Sequence, residues 1–75
     1  MQAYLLIRAY AVRDVYSELE KSKGVIECHT LTGAFDLIAR IEADDIGGLS
    51  AIKQAIAKLP HIKRIDVLTV TDIAK

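Results

Sequence analysis

The chain holds one cysteine, one proline and no tryptophan. A lone Cys28 cannot form an intramolecular disulfide, so the fold is not a small disulfide scaffold, and nothing points to secretion. No charge of one sign dominates: ten basic residues balance ten acidic ones. A nucleic-acid binder normally carries a basic excess to engage phosphates, so direct DNA or RNA binding is disfavoured. No apolar run reaches the roughly 20 residues of a membrane span. The N-terminus lacks the basic region and cleavage site of a signal peptide. A cytoplasmic protein with no membrane association is the expectation.

Apolar material is abundant instead. Of 75 residues, 52% are hydrophobic, and the mean hydropathy is +0.26. A domain this short buries only about 60–65% of its unfolded surface. The apolar content exceeds what one small two-layer core consumes, and the surplus implies a second buried surface, most simply a subunit interface.

Hydrophobic periodicity orders the chain as β-α-β-β-α-β. Ala3 to Tyr10 alternates with Ala3, Leu5, Ile7 and Ala9 on one face and Tyr4, Leu6, Arg8 and Tyr10 on the other. Val12, Val15, Tyr16 and Leu19 follow at helical spacing, and Gly24 is placed to end that helix. Val25 to Thr32 reads as a strand with Val25, Glu27, His29 and Leu31 on one side. Ile26, Cys28, Thr30 and Thr32 take its other side. After a tight turn at Gly33-Ala34-Phe35, Asp36 to Ala43 alternates cleanly, with Leu37, Ala39, Ile41 and Ala43 on its apolar side. Asp44 or Asp45 can cap a second helix with the stripe Leu49, Ile52, Ile56 and Leu59. Gly47 and Gly48 weaken its first turn, and Pro60 stops it. Ile62 to Thr71 is the last strand, with Ile62, Leu68 and Val70 on one side and Ile65 and Val67 on the other. The whole chain, residues 1–75, reads as a single domain.

Two amphipathic helices cover one face of a four-stranded antiparallel sheet. The predicted fold is therefore α+β, a ferredoxin-like βαββαβ sandwich. Its other face carries Tyr4, Leu6, Ile38 and Leu31 and needs a cover, which a second copy packed sheet to sheet supplies. Arg8, Arg40, Asp36 and Glu42 would then lie near one another as ion pairs.

Cys28 and His29 are adjacent on a strand and point to opposite faces, so they do not chelate one ion. No C-x-x-C or H-x-x-x-H spacing occurs, and no metal or other cofactor is expected. Asp36, Glu27 and His29 could form an acid/base cluster on the mixed face. Interface ion pairs are the plainer account of them. Gly33 has a structural reading as a turn residue that tolerates positive φ. Its functional reading is that the missing side chain leaves backbone N–H groups open to a carboxylate, with Asp36 attracting an ammonium group.

Thr32-Gly33-Ala34-Phe35-Asp36 resembles the Thr-Gly-x-aromatic-Asp signature of the Lrp/AsnC regulators, in their C-terminal effector-binding (RAM) domain. Gly24-Val25, Cys28-His29, Leu37-Ile38-Ala39 and Pro60-His61-Ile62-Lys63-Arg64 extend the likeness over the chain. The resemblance implies a stand-alone RAM domain lacking the helix-turn-helix. It implies dimers joined through their sheets as an α/β barrel, and octamers or decamers built from them. Amino-acid effectors would bind between dimers, and full-length family members are candidate partners. Carried over by motif, Gly33 and Ala34 offer backbone contacts, Phe35 packing, Asp36 a contact to the α-amino group, and Thr32 flanks the pocket. Many relatives carry two threonines where this chain has Ile65 and Val67. If those positions line the pocket, two hydroxyl partners are lost. The resemblance thus points to an amino-acid-binding regulatory module, not an enzyme. The alternatives are a purely structural assembly module and a small dimeric barrel enzyme.

Overall fold

Alternating and helical apolar patterns resolve into six elements in a computed structural model that describes residues 1–69. They are β1 (Gln2–Ala9), α1 (Val12–Lys21), β2 (Val25–Thr30), β3 (Leu37–Glu42), α2 (Ile46–Ala57) and β4 (Ile62–Thr69). The strands form one sheet in the order β2-β3-β1-β4, and every neighbouring pair is antiparallel. The fold is the ferredoxin-like α+β arrangement that the periodicity predicts. The end of the predicted last strand, Val70 and Thr71, lies outside the described residues.

One face of the sheet is sealed by the helices. Ala3, Leu5, Ile7, Leu37, Ala39 and Ile41 point into it and are at most 1% exposed. Val15 and Leu19 of α1 and Leu49 and Ile56 of α2 close the layer above them. Fully burying each large aliphatic side chain contributes about 1.5–3 kcal/mol, so this layer dominates the stability of the domain. Asp45 caps α2: the Gly48 N–H donates to its Oδ1 at 2.8 Å, satisfying one of the donors a helix start leaves unpaired.

Strict alternation fails at two places. In β2, Val25 pairs with Ile41 and Glu27 with Arg40, so Ile26 is an extra residue. This bulge puts Val25 on the same core side as Cys28, not on the side of Glu27 and His29 as alternation predicts. In β4, Arg64 pairs with Arg8 but Ile62 pairs with Ala9, so Lys63 is the extra residue. Ile62 therefore packs against the core, while Leu68, opposite Tyr4, faces the other way. A bulge shifts the two-residue period by one, which reverses every face assignment on its far side. Both bulges lie on edge strands, where such irregularities concentrate.

Gly24 carries the chain from α1 into β2 with φ +90°. A Cβ there would collide with Ile52 of α2. The helix itself ends earlier, at Lys21, with the Ser22 N–H donating to the Leu19 carbonyl. The glycine serves the turn and the close passage of α2, not the helix terminus.

Candidate functional site

The connection between β2 and β3 is held to the sheet at its base and open at its tip. The Leu31 N–H donates to the Asp36 carbonyl at 2.8 Å, closing the loop. The Asp36 N–H donates to the Ile7 carbonyl at 2.8 Å, and the Ala9 N–H donates to Asp36 Oδ2 at 2.9 Å. The side chain thus replaces the ladder acceptor that a longer β3 would have provided to the end of β1. At the tip, Thr32, Gly33 and Ala34 are exposed, and Phe35 and Asp36 are half-buried. Gly33 has φ +113°, and a Cβ there would meet nothing within 4 Å. That backbone conformation favours glycine even though the space would admit a side chain.

The motif residues Thr32, Gly33, Ala34, Phe35 and Asp36 therefore share one projecting loop. Four clefts among the described residues lie elsewhere and include none of them. Ile65 and Val67 do share a face, as alternation predicts. It is the helix-covered face: Ile65 pairs with Ile7 and Val67 with Leu5. Ile65 packs against the core, and Val67 lines a cleft with Ile46 and Leu49 of α2. One protomer does not bring Val67 to the turn. Asp36 is also not the open anionic hook that the motif suggests, because one carboxylate oxygen is engaged by Ala9.

Among the described residues, the opposite face of the sheet carries no helix. Tyr4, Leu6 and Ile38 are half-buried on it, and Leu68 is 50% exposed. A polar chain crosses this apolar ground. Arg40 Nε–H donates to Glu27 Oε1 at 2.7 Å, and His29 Nε2 lies 2.9 Å from Glu27 Oε2. Arg40 also reaches Gln2 Oε1 at 3.4 Å, and Gln2 Nε2 reaches Glu42 at 3.5 Å. The hydrogen bond from His29, then the hydrogen bond and charge of Arg40, hold the Glu27 carboxyl below its ordinary value. Within one chain Arg40 thus finds Glu27, whereas the ion pairs with Asp36 and Glu42 expected from the sequence belong to two paired copies. Counting outward from the turn puts Glu27 opposite Arg40 on the mixed face, but the two-residue period does not say which carboxylate of that face Arg40 takes.

The postulated acid/base cluster is not assembled. Glu27 and His29 are paired and largely solvated, with 45% and 64% of their side chains exposed, while the Asp36 carboxylate is turned to Ala9. Cys28 lies in the core, where burial and then the Glu20 charge push its thiol up, away from the nucleophilic thiolate. Among the described residues, no group of three or more His, Cys, Asp or Glu side chains is arranged to hold a metal ion. No helix among them is long and apolar enough to cross a membrane.

The chain's likeness to known proteins follows the same outline. A family model for the Lrp/AsnC ligand binding domain matches residues 2–75. The crystal structure of TTHA0845 from Thermus thermophilus is 25% identical with a TM-score of 0.89, covering 99% of this chain and 96% of that one. A hypothetical protein, PHS023 from Pyrococcus horikoshii, is 27% identical with a TM-score of 0.84, covering 96% and 90%. A Neisseria meningitidis transcriptional regulator solved as an L-Met complex, NMB0573, shares the fold at 19% identity and a TM-score of 0.83. This chain spans 51% of that regulator. No curated protein matches the chain by sequence.

Proposed function

Because the chain belongs to the Lrp/AsnC ligand-binding domain family, we propose that it is an amino-acid effector-binding and assembly module, residues 1–75 acting as one domain. The observation that carries this reading is the Thr32–Asp36 loop. Its tip presents bare backbone at Gly33, and its base holds Asp36 by main-chain bonds on both sides. With Oδ2 fixed by Ala9, Oδ1 is the oxygen for an α-ammonium group. The Gly33 and Ala34 N–H groups would meet the α-carboxylate, Phe35 would pack against the ligand, and Thr32 would flank it. Methionine bound to the Neisseria relative fits an effector of this class.

A loop that projects from one protomer makes half a pocket. The second half would come from another copy. The helix-free face, with Tyr4, Leu6 and Ile38 half-buried in a single chain, supports pairing of two copies through their sheets. Octamers or decamers would then build from dimers and enclose the loops. Mixing with full-length regulators of the family is the corresponding route to transcription control. Within one chain Ile65 packs against the core and Val67 lines a cleft beside α2, so a contact from either to a ligand at the loop would have to come from another copy.

The test is calorimetric titration of the twenty amino acids, with mass in solution measured by light scattering. Asp36→Asn keeps an oxygen for the Ala9 N–H but removes the charge. It should retain the fold and the oligomer while losing at least about tenfold in affinity, as loss of a charged hydrogen-bond partner implies. Unchanged affinity in Asp36→Asn would remove that residue from recognition. If no amino acid binds and the mass is fixed, the second reading, a structural assembly module, is the one to keep.

A further inference from the structure

A cleft lies at the other end of β1, on the helix-covered side. α2 packs against β1 and β3 and leaves the inner face of β4 partly bare. Val67 is 47% exposed there, and Ile46 of α2 is 69% exposed. Between them runs a cleft of about 290 Å³, close to the lower bound of small-molecule pockets. Ala3, Ile41 and Leu49, each at most 7% exposed, form its floor. Among the described residues no Asp or Glu lines it, and Lys53 does.

Lys53 differs from the other described lysines. Lys21, Lys23, Lys58 and Lys63 are exposed, whereas Lys53 is half-buried. Lys21 pairs with Glu18 at 3.8 Å, and Lys63 sits 4.8 Å over the Tyr10 ring. Among the described residues Lys53 has no carboxylate within ion-pair distance. A half-buried ammonium beside an apolar floor asks for an anion. The charge pattern also selects against amino acids, since no carboxylate among the described lining residues would compensate an α-ammonium group. The hairpin loop is the reverse case, with Asp36 beside bare backbone.

We propose that this cleft binds an aliphatic carboxylate that lacks an α-amino group. Its hydrocarbon chain lies on Ala3, Ile41 and Leu49, between Ile46 and Val67, and Lys53 holds its carboxylate. The site is independent of the Thr32–Asp36 loop, so either can fail without the other.

Sodium octanoate is the probe, titrated into the full chain while backbone and methyl NMR shifts are followed. Saturable shifts at Ile46, Leu49, Lys53 and Val67, with Thr32–Asp36 unmoved, are the expected result. Lys53→Gln should weaken binding about tenfold or more, and Lys53→Arg should restore most of it. 1-Octanol, without the charge, and 2-aminooctanoate, with an added ammonium, should each bind more weakly than octanoate. Val67→Phe should block the cleft with the remaining spectrum unchanged. Equal octanoate affinity in Lys53→Gln would overturn the proposal, because the lysine would then only be covering apolar surface with its stem. Absence of saturable shifts, or shifts confined to Thr32–Asp36, would overturn it as well.

Discussion

Gly24 and Gly33 are the same residue, both with positive φ and both leading into or out of β2. Their surroundings are opposite. At Gly24 an added Cβ would run into Ile52 of α2, whereas at Gly33 it would meet nothing within 4 Å. The first turn is closed by packing and belongs to the core's geometry. The second is closed only by hydrogen bonds at its base, and its tip is bare. A glycine that the interior requires speaks to stability. A glycine that the interior does not require, in an exposed loop with an anchored carboxylate, is free for the binding role proposed for that loop.

The largest effect should come from breaking the packed turn. Gly24→Ala combines an unfavourable backbone conformation, about 1–3 kcal/mol, with overpacking against Ile52, about 1–3 kcal/mol. A loss of about 2–6 kcal/mol by denaturant unfolding is expected. Ile52→Ala in the same chain should recover part of it, since the two residues are coupled through one contact. A loss no larger than that of Gly33→Ala would show that α2 gives way, and the contrast would collapse.

Next is Asp36→Ala, which strips the Ala9 N–H of its acceptor. A half-buried, charge-assisted hydrogen bond of this kind is worth about 2 kcal/mol. Asp36→Asn should restore most of that stability without restoring affinity, separating the loop's anchor from its ligand contact. Gly33→Ala follows, at about 1 kcal/mol, because the strained φ is its only cost and an exposed tip can relax. Its signature is a loss of amino-acid response out of proportion to the loss of stability, read by titration beside thermal unfolding.

The fold was readable because its central strands obey strict alternation. Leu5 and Ile7 of β1, and Leu37, Ala39 and Ile41 of β3, all fall on the side that period two assigns them. The edge strands were readable only in part. Ile26 and Lys63 each add a residue to the ladder, and neither residue type announces a bulge. Alternation alone therefore places Val25 and Ile62 on the wrong faces, while the Glu27–Arg40 pair lies on the regular side of its bulge and depends on side-chain choice among the carboxylates of one face. The loop residues were found from the five-residue motif, which carries no period. Engagement of Asp36 by Ala9 could not be read, because it depends on how far β1 runs past the start of β3. The Lys53 cleft depends on where α2 sits laterally, and helical spacing fixes which face a helix buries but not its position over the sheet.

The smallest effect tests whether the helix-free face is as independent of the packed core as the open turn is. Hydrogen bonding from His29 and Arg40, with the Arg40 charge, depresses the Glu27 carboxyl in the folded chain. A depressed folded-state value means that the unfolded chain takes up a proton first as pH falls. The contribution is therefore full above the ordinary glutamate value, about 4.3. It is lost as pH drops from there through the lower folded value. Glu27 is largely solvated, so the effect on stability should be slight and should shrink in high salt. Glu27→Gln should flatten this part of the stability profile while leaving the profile near neutral pH almost unchanged. If two copies pair through this face as proposed, the same variant should weaken self-association more than it weakens the fold, because Gln cannot neutralise Arg40 on a covered face. If Glu27→Gln left dimer mass and dilution behaviour untouched, the polar chain would be surface decoration, and the helix-free face would need another explanation for its half-buried Tyr4, Leu6 and Ile38.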